Sequence, residues 1–574
     1  MASVDVFDAV VVGSGFGGSV TAFRLAEARK SVCVLERGKP YPPGSFPRSP
    51  HEAAKNFWDP DSRLFGMYDM WSFSKLDALV CSGLGGGSLI YANVLIRKPE
   101  SWFVHESFDG GYEHWPVTRT DLEPHYQLVE DMLGAQRYPV HVTPYKDTPK
   151  TLAMEEAAAQ LGLDWELPKL AVSFGNPAAP GVPIEGGEDN YHRSPRYTCR
   201  LVGECDLGCN FGSKNSLDFT YLSAAEQLGA DIRPHCEVFS FEPVPEGFLV
   251  SYIRHVAAAD GDPFAPPQRH TVRARRLILS AGTLGTTYLL LRNRSAFPGL
   301  SPALGTHFSG NGDFLGLVLK ARLRRRELPG EAESHLLRPS FGPVITSAMR
   351  VEREENAENA ENAETRDAAR GAYIEDAGYP EFLNWLVEHN VLTMSTRVGR
   401  FLLRRGWAQL TGTARSRVGR QLGDAMGKGL FTATSLPLLG MGRDVPNGRM
   451  FLREGHLDLD WDLAASDPYF RQMNDTMRRV SRSVGGRYVS NPLWWLNRLI
   501  TVHPLGGAPM GRHVQEGVVD SFGRVYGYPG LSIADGSMMP GPVGPNPSLT
   551  IAALADRSAV RIIEDDSGNS TEPS

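Results

Sequence analysis

His503 stands in the run ITVHPLGGAPMG, followed at once by Pro504 and then by Gly506 and Gly507. An imidazole titrates near neutral pH, so it can take a proton from a reacting group and give it back. A proline and two glycines beside it stiffen the backbone and leave room for a flat ligand. Asn546 lies 43 residues further on, between Pro545 and Pro547, which restrict the chain on both sides of it. Ser548, a good cap residue, is expected to start a helix through Ile551, Leu554 and Ala555. A histidine and a rigidly held amide together suit a substrate hydroxyl whose proton must move.

A second constellation opens the chain. The apolar run Ala9 to Val12 predicts a buried parallel strand. It enters Gly13-Ser14-Gly15-Phe16-Gly17-Gly18, then a helix expected to bury Val20, Phe23 and Leu25, then a second strand, Val32 to Leu35, ending on Glu36. Gly13 would allow the sharp turn, Gly15 the approach of a pyrophosphate, and Gly18 close helix–sheet packing. The helix start offers free N–H groups to phosphate, and Glu36 suits ribose hydroxyls rather than a 2′-phosphate. The motif alone does not separate FAD from NAD.

These groups need a scaffold. The segment CSGLGGGSLIYANVL, Cys81 to Leu95, has three consecutive glycines where backbone must come close to something. Helices are expected at Leu152–Leu161 and Tyr221–Leu228, paired strands at Ile232–Glu242 and Gly247–Ile253, and a late strand ending at Ala281-Gly282 that repeats the strand-into-glycine pattern. Tyr528 to Ala534 predicts a turn and a strand leading to Asp535-Gly536. The Pro-rich stretch GKPYPPGSFPRSP is expected as a surface excursion.

The 574 residues suffice for several domains and a large core, and a net charge of −7 gives no reason to expect a nucleic-acid partner. No apolar run is long enough to predict a membrane span, and no signal peptide pattern is visible, so a cytoplasmic location is expected. Residues 392–428 carry seven arginines, one lysine and one acid, interleaved with Phe401, Leu402, Leu403 and Trp407. That suits either peripheral contact with an anionic membrane or a helix with a solvated basic face. Residues 354–367 are expected to form an acidic low-complexity loop, and 566–574 a disordered tail. Cys199, Cys205 and Cys209 cluster, but a metal would need His192 or Asp206 as a fourth ligand; three reduced thiols are the expectation, with no metal.

Taken together, VVVGSGFGGSVTAFRLAE, GLGGGSLIYAN, NFGSKNSLDFTYLSAA, LILSAGTLGTTYLLL, HPLGGAPMG and GPNPSLTIAALADRSA resemble the glucose–methanol–choline (GMC) oxidoreductases, and within them the cholesterol-oxidase-like branch. The resemblance covers most of the chain outside about 306–490. It implies an α/β fold with a discontinuous Rossmann-like FAD-binding domain (1–45, 80–100, 200–310 and 505–565) and a sheet-and-helix substrate-binding domain (46–79, 101–199 and 311–504). It implies noncovalent FAD and oxidation of a bulky apolar alcohol such as a 3β-hydroxysteroid, with O2 or a carrier as acceptor. The alternatives are a long-chain or other alcohol dehydrogenase, or a lyase that retains flavin as structure. His503 and Asn546 fall on the family's catalytic pair. Gly13, Gly15, Gly18 and Glu36 fall on its pyrophosphate and ribose sites. Gly85, Gly86, Ser88 and Asn93 fall along the flavin, Val238 by the adenine, and Asp535 and Gly536 near the ribityl chain and phosphates. Actinobacterial cholesterol oxidases also carry a glutamate base that moves a steroid double bond. The corresponding stretch, Gly427 to Asp444, has no carboxylate near Phe431 and Thr432, which argues against isomerase activity.

Overall fold

The computed structural model describes residues 4–106, 112–255, 266–322, 336–351, 371–380 and 433–567. The acidic loop 354–367 and the basic stretch 392–428 lie outside the described residues.

Strand β1 (Asp5–Val12), helix α1 (Phe16–Glu27) and strand β2 (Val32–Leu35) form in the expected order. β1 and β2 are parallel, with Val12 opposite Leu35, so their carboxyl ends and the glycine turn share one edge. Val20 and Leu25 are buried under α1, with Phe23 packed at the margin of the same core. The seven-stranded sheet runs Asp231–Arg233, β2, β1, Gln268–Leu279, Gly247–Arg254, Cys236–Val244, with Leu531–Ile533 paired to the end of the Gln268–Leu279 strand. The expected late strand is therefore a central one, parallel to β1 along seven residue pairs. The expected strand over Ile232–Glu242 is two strands. The chain breaks at Pro234-His235, where His235 has φ +61°, so Ile232 joins β2 at one edge and Cys236–Val244 forms a hairpin at the other.

A second, six-stranded sheet has the order Asp164–Glu166, Ala348–Val351, Ala372–Asp376, Leu436–Gly442, Phe314–Leu319, Arg487–Ser490. One face packs on the Asp467–Ser483 helix. Gly316 and Gly440 are the contact points, and a Cβ on either would come within 2.8 Å of Met477 or Met473 side-chain atoms. The Ser548–Ser567 helix lies against α1 and the Arg119–Met132 helix. It includes residues 566 and 567, and its first residue is Ser548. That serine is not a cap: its Oγ has no hydrogen-bond partner.

The Pro-rich stretch is irregular but not merely superficial. Tyr41 and Phe46 are buried and stacked with ring centres 5.4 Å apart, and Phe46 lies over Gly208. No described helix is long and apolar enough to cross a membrane.

Candidate active site

The turn between His307 and the Phe314–Leu319 strand organises the reactive groups. It reads Phe308-Ser309-Gly310-Asn311-Gly312-Asp313. Asn311 and Gly312 adopt positive φ, +53° and +64°, which folds the turn back on itself. Asp444, fully buried, accepts from Ser309 Oγ and from the Gly310 N–H at 2.9 Å, fixing the near side. Asn311 then clamps the segment before Asn546: its Nδ2 donates to the Pro545 carbonyl at 3.1 Å, and its Oδ1 accepts from the Gly544 N–H at 2.8 Å. From the other side, buried Lys98 donates to the carbonyls of Pro542 and Val543 at 2.8 and 2.9 Å.

Two residues beyond Asn311, Asp313 holds the histidine. Asp313 Oδ1 lies 2.8 Å from His503 Nδ1, while Oδ2 accepts from Thr501 Oγ1 and the Val502 N–H at 2.8 and 2.9 Å. A carboxylate accepts only, so Nδ1 carries the proton and Nε2 is left as an acceptor. One turn thus positions both His503 and Asn546. The Gly506 Cβ would stand 2.0 Å from the His307 carbonyl, so the two glycines after the histidine serve close backbone contact as well as ligand access.

Glu375, on the Ala372–Asp376 strand, has no counterpart among the sequence-based candidates. It is 0 % exposed; its Oε2 accepts from Asn546 Nδ2 at 3.4 Å, and its Oε1 has no partner. Burial holds its carboxyl well above the usual carboxylate range. The expectation of no carboxylate at this place rests on Gly427 to Asp444. The described part of that stretch supplies Asp444 to the turn instead, and a different strand brings a carboxyl to Asn546. Asp206, named above only as a possible fourth metal ligand, is a second acid that His503 feels. Surrounding protein pushes its carboxyl up to about 6, with Lys214, Lys150 and His503 within electrostatic reach.

The glycine turn and its predicted neighbours converge. A Cβ on Gly13 (φ +96°) would meet the Ser280 carbonyl at 2.3 Å, and one on Gly18 the Gly13 carbonyl at 2.0 Å. Around Gly15 no protein atom lies within 4 Å of that position. Gly86 touches it from the other side, since a Gly86 Cβ would be 2.7 Å from Gly15 Cα. The Gly85 N–H donates to Ser14 Oγ, which donates to Glu36 Oε2 at 2.6 Å. Glu36 Oε1 accepts from the Gly38 N–H. The Cys236 N–H donates to the Glu36 carbonyl, which brings Val238 and its bulge alongside. Ser88 is occupied structurally, donating to the Gly85 carbonyl and accepting from the Leu217 N–H. Asp535 accepts from Gly282 and Ser537, and Gly536 packs on Thr283, so what this segment offers a ligand is backbone.

A dinucleotide flavin fits this set. Asn93 is fully buried at φ +70° with both side-chain polar atoms unpartnered, and Asn546 Oδ1 and Ser548 Oγ are unpartnered too. Buried polar atoms without partners are costly, and a bound ligand offering hydrogen-bond partners would offset that cost. The N-terminus of α1, with no side-chain cap, is free for phosphate.

His192 Nε2 is engaged by Asp218 at 2.7 Å, and Cys199, Cys205 and Cys209 are free thiols. Among the described residues no three such side chains are grouped to hold a metal.

Comparison with known proteins bears on the family and the fold. Residues 464–555 match the GMC oxidoreductase family, and residues 11–44 a NAD(P)-binding Rossmann-like domain. The chain is 31 % identical to a cholesterol oxidase of Mycobacterium tuberculosis, over 96 % of this chain and 90 % of that one. It is 27 % identical to a cholesterol oxidase of Acinetobacter baumannii, over 96 % and 93 %. In fold it is similar to a formate oxidase of Aspergillus oryzae, with a TM-score of 0.60 and 14 % identity over 99 % of this chain and all of that one.

Proposed function

The chain belongs to the GMC oxidoreductases, as an FAD-dependent alcohol oxidase or dehydrogenase, and from that membership we propose that its substrate is a bulky apolar secondary alcohol of the 3β-hydroxysteroid class, held by His503 and Asn546. The observation that carries this reading is the register of the six-stranded sheet. Glu375 pairs with Leu439, Leu439 with Leu315, and Leu317 with both Pro437 and Val489. Paired residues share a face, so the face that brings Asp313 and Glu375 to the site continues as Leu439, Leu315, Leu317 and Val489. Leu315 and Val489 are 40 % and 36 % exposed. Such a surface suits a rigid hydrocarbon body whose single hydroxyl reaches the polar end.

His503 Nε2 takes the hydroxyl proton, and Asn546 orients the oxygen. FAD, when bound, would supply the acceptor for the carbinol hydride, so that the C–H and O–H bonds would break as C=O forms. The positive charge on His503 is balanced by Asp313. Glu375, whose Oε1 has no partner, lies beside Asn546 and is the group available to take up and return a proton in the oxidised product, as the shift of a neighbouring double bond requires. An electron acceptor such as O2 completes turnover.

The test is anaerobic addition of 3β-hydroxysteroids and of straight-chain alcohols to the flavin-loaded protein. Bleaching of the flavin by the steroids at lower concentration is expected. Bleaching by straight-chain alcohols alone overturns the substrate class and leaves the enzyme class standing.

A further inference from the structure

The outer strand of the six-stranded sheet, Arg487–Ser490, and the last turns of the Asp467–Ser483 helix enclose an open groove of about 410 Å3. Arg478, Arg482 and Arg487 line it, with Tyr488, Val489 and Ser481. Arg478 and Arg482 are one helical turn apart and share a face. Lys320 and Arg322 join them: Leu319 pairs with Arg487, and the Arg322 N–H donates to the Val484 carbonyl. All five cations are exposed. Among the described residues the carboxylate paired with these cations is Asp475, 3.5 Å from Arg478 and itself largely exposed. Among the described residues, Lys320, Arg322, Arg482 and Arg487 make no ion pair.

A helix C-terminus favours one or two cations in its last turn. It does not account for Arg487, which comes from the neighbouring strand and is part of the lining of the same groove. Nor does it account for Ser481, which is 1 % exposed with an unpartnered Oγ beneath the arginines. Guanidinium groups along the rim of a concave surface can match the oxygens of a phosphate.

We propose that this groove binds the phosphodiester headgroups of an anionic lipid surface. The occupant follows from what adjoins the cations. Val489 lines the groove and also belongs to the apolar sheet face formed with Leu315 and Leu317. Cations and exposed apolar side chains therefore sit side by side, as a headgroup layer over hydrocarbon requires. The groove lies six residues along the strand from Asp313, or ~20 Å at about 3.4 Å per residue. Docking there turns the outer end of the apolar face toward the lipid. The inference concerns binding alone and holds whichever alcohol is oxidised.

The experiment is co-sedimentation of the flavin-loaded full chain with phosphatidylglycerol vesicles and with phosphatidylcholine vesicles, for the parent and for Arg482→Gln/Arg487→Gln. Both arginines are exposed, and neither touches the reaction site. Retention of the flavin spectrum and of turnover on a cyclodextrin-dispersed alcohol certifies that the variant is folded; Arg487→Lys, which keeps the charge, is the second variant. The parent is expected to prefer phosphatidylglycerol, the double variant to bind it about 30-fold more weakly at roughly 1 kcal/mol per charge, and the lysine variant to bind nearly as the parent does. Equal binding by parent and double variant overturns the proposal. So does release of the parent by inorganic phosphate well beyond that caused by chloride of matched ionic strength, which would make the groove a small-anion site.

Discussion

The Nδ1–H of His503 has its acceptor in Asp313, and that bond decides what the other nitrogen can do. With the carboxylate replaced by an amide, the substituted side chain could present its own N–H to Nδ1, and the ring would turn to the tautomer whose Nε2 is a donor. Asp313→Asn is therefore expected to lower kcat by about 10²–10⁴-fold while leaving KM and the bound flavin nearly unchanged. It should also alter the pH profile of kcat, which a loss of packing alone would not do. A kcat equal to the parent's would remove Asp313 from the mechanism. His503 and Asn546 are visible in the sequence because their prolines and glycines are adjacent to them. Asp313 and Glu375 are not visible, since each meets its partner 190 or 171 positions away through strand register that no local pattern encodes.

At the scale of elements, the glycine turn separates two demands that the motif merges. Around Gly15 there is open space, so its missing side chain serves a ligand. Gly17, which the motif does not single out, packs on the Ala534 carbonyl, where a Cβ would stand 1.4 Å away. Gly15→Ala is expected to leave the melting temperature of the deflavinated protein unchanged and to weaken FAD binding. Gly17→Ala is expected to lower both, by ~3 kcal/mol or more in stability, because two backbones must move apart. Equal losses of apoprotein stability in the two variants would contradict this division. The strand–turn–helix–strand order could be read from periodicity and punctuation. The segment against which α1 packs could not.

On the scale of the whole molecule, both ends of the described chain build one unit. The Leu531–Ile533 strand extends the sheet of β1, and the Ser548–Ser567 helix covers α1. Residues 1–320 alone should therefore bind no FAD and be digested rapidly by protease, although they contain β1, the glycine turn and Glu36. A protease-resistant, flavin-binding fragment of that length would show that the later segments are dispensable. The two-sheet plan was legible from its motifs. The order of the substrate-side strands was not, because short antiparallel strands separated by long insertions leave little periodic signal.

The contact between Gly17 and Ala534 also sets a timetable. Synthesis proceeds from the amino end, so the glycine turn leaves the ribosome roughly 500 residues before the segment that closes over it. At 5–20 residues per second the interval is roughly 25–100 s. Throughout that time the first strands have no cover on one side, and the cradle for the cofactor is half built. Loading of flavin must follow translation, and the nascent chain depends during that interval on whatever shields its apolar strands.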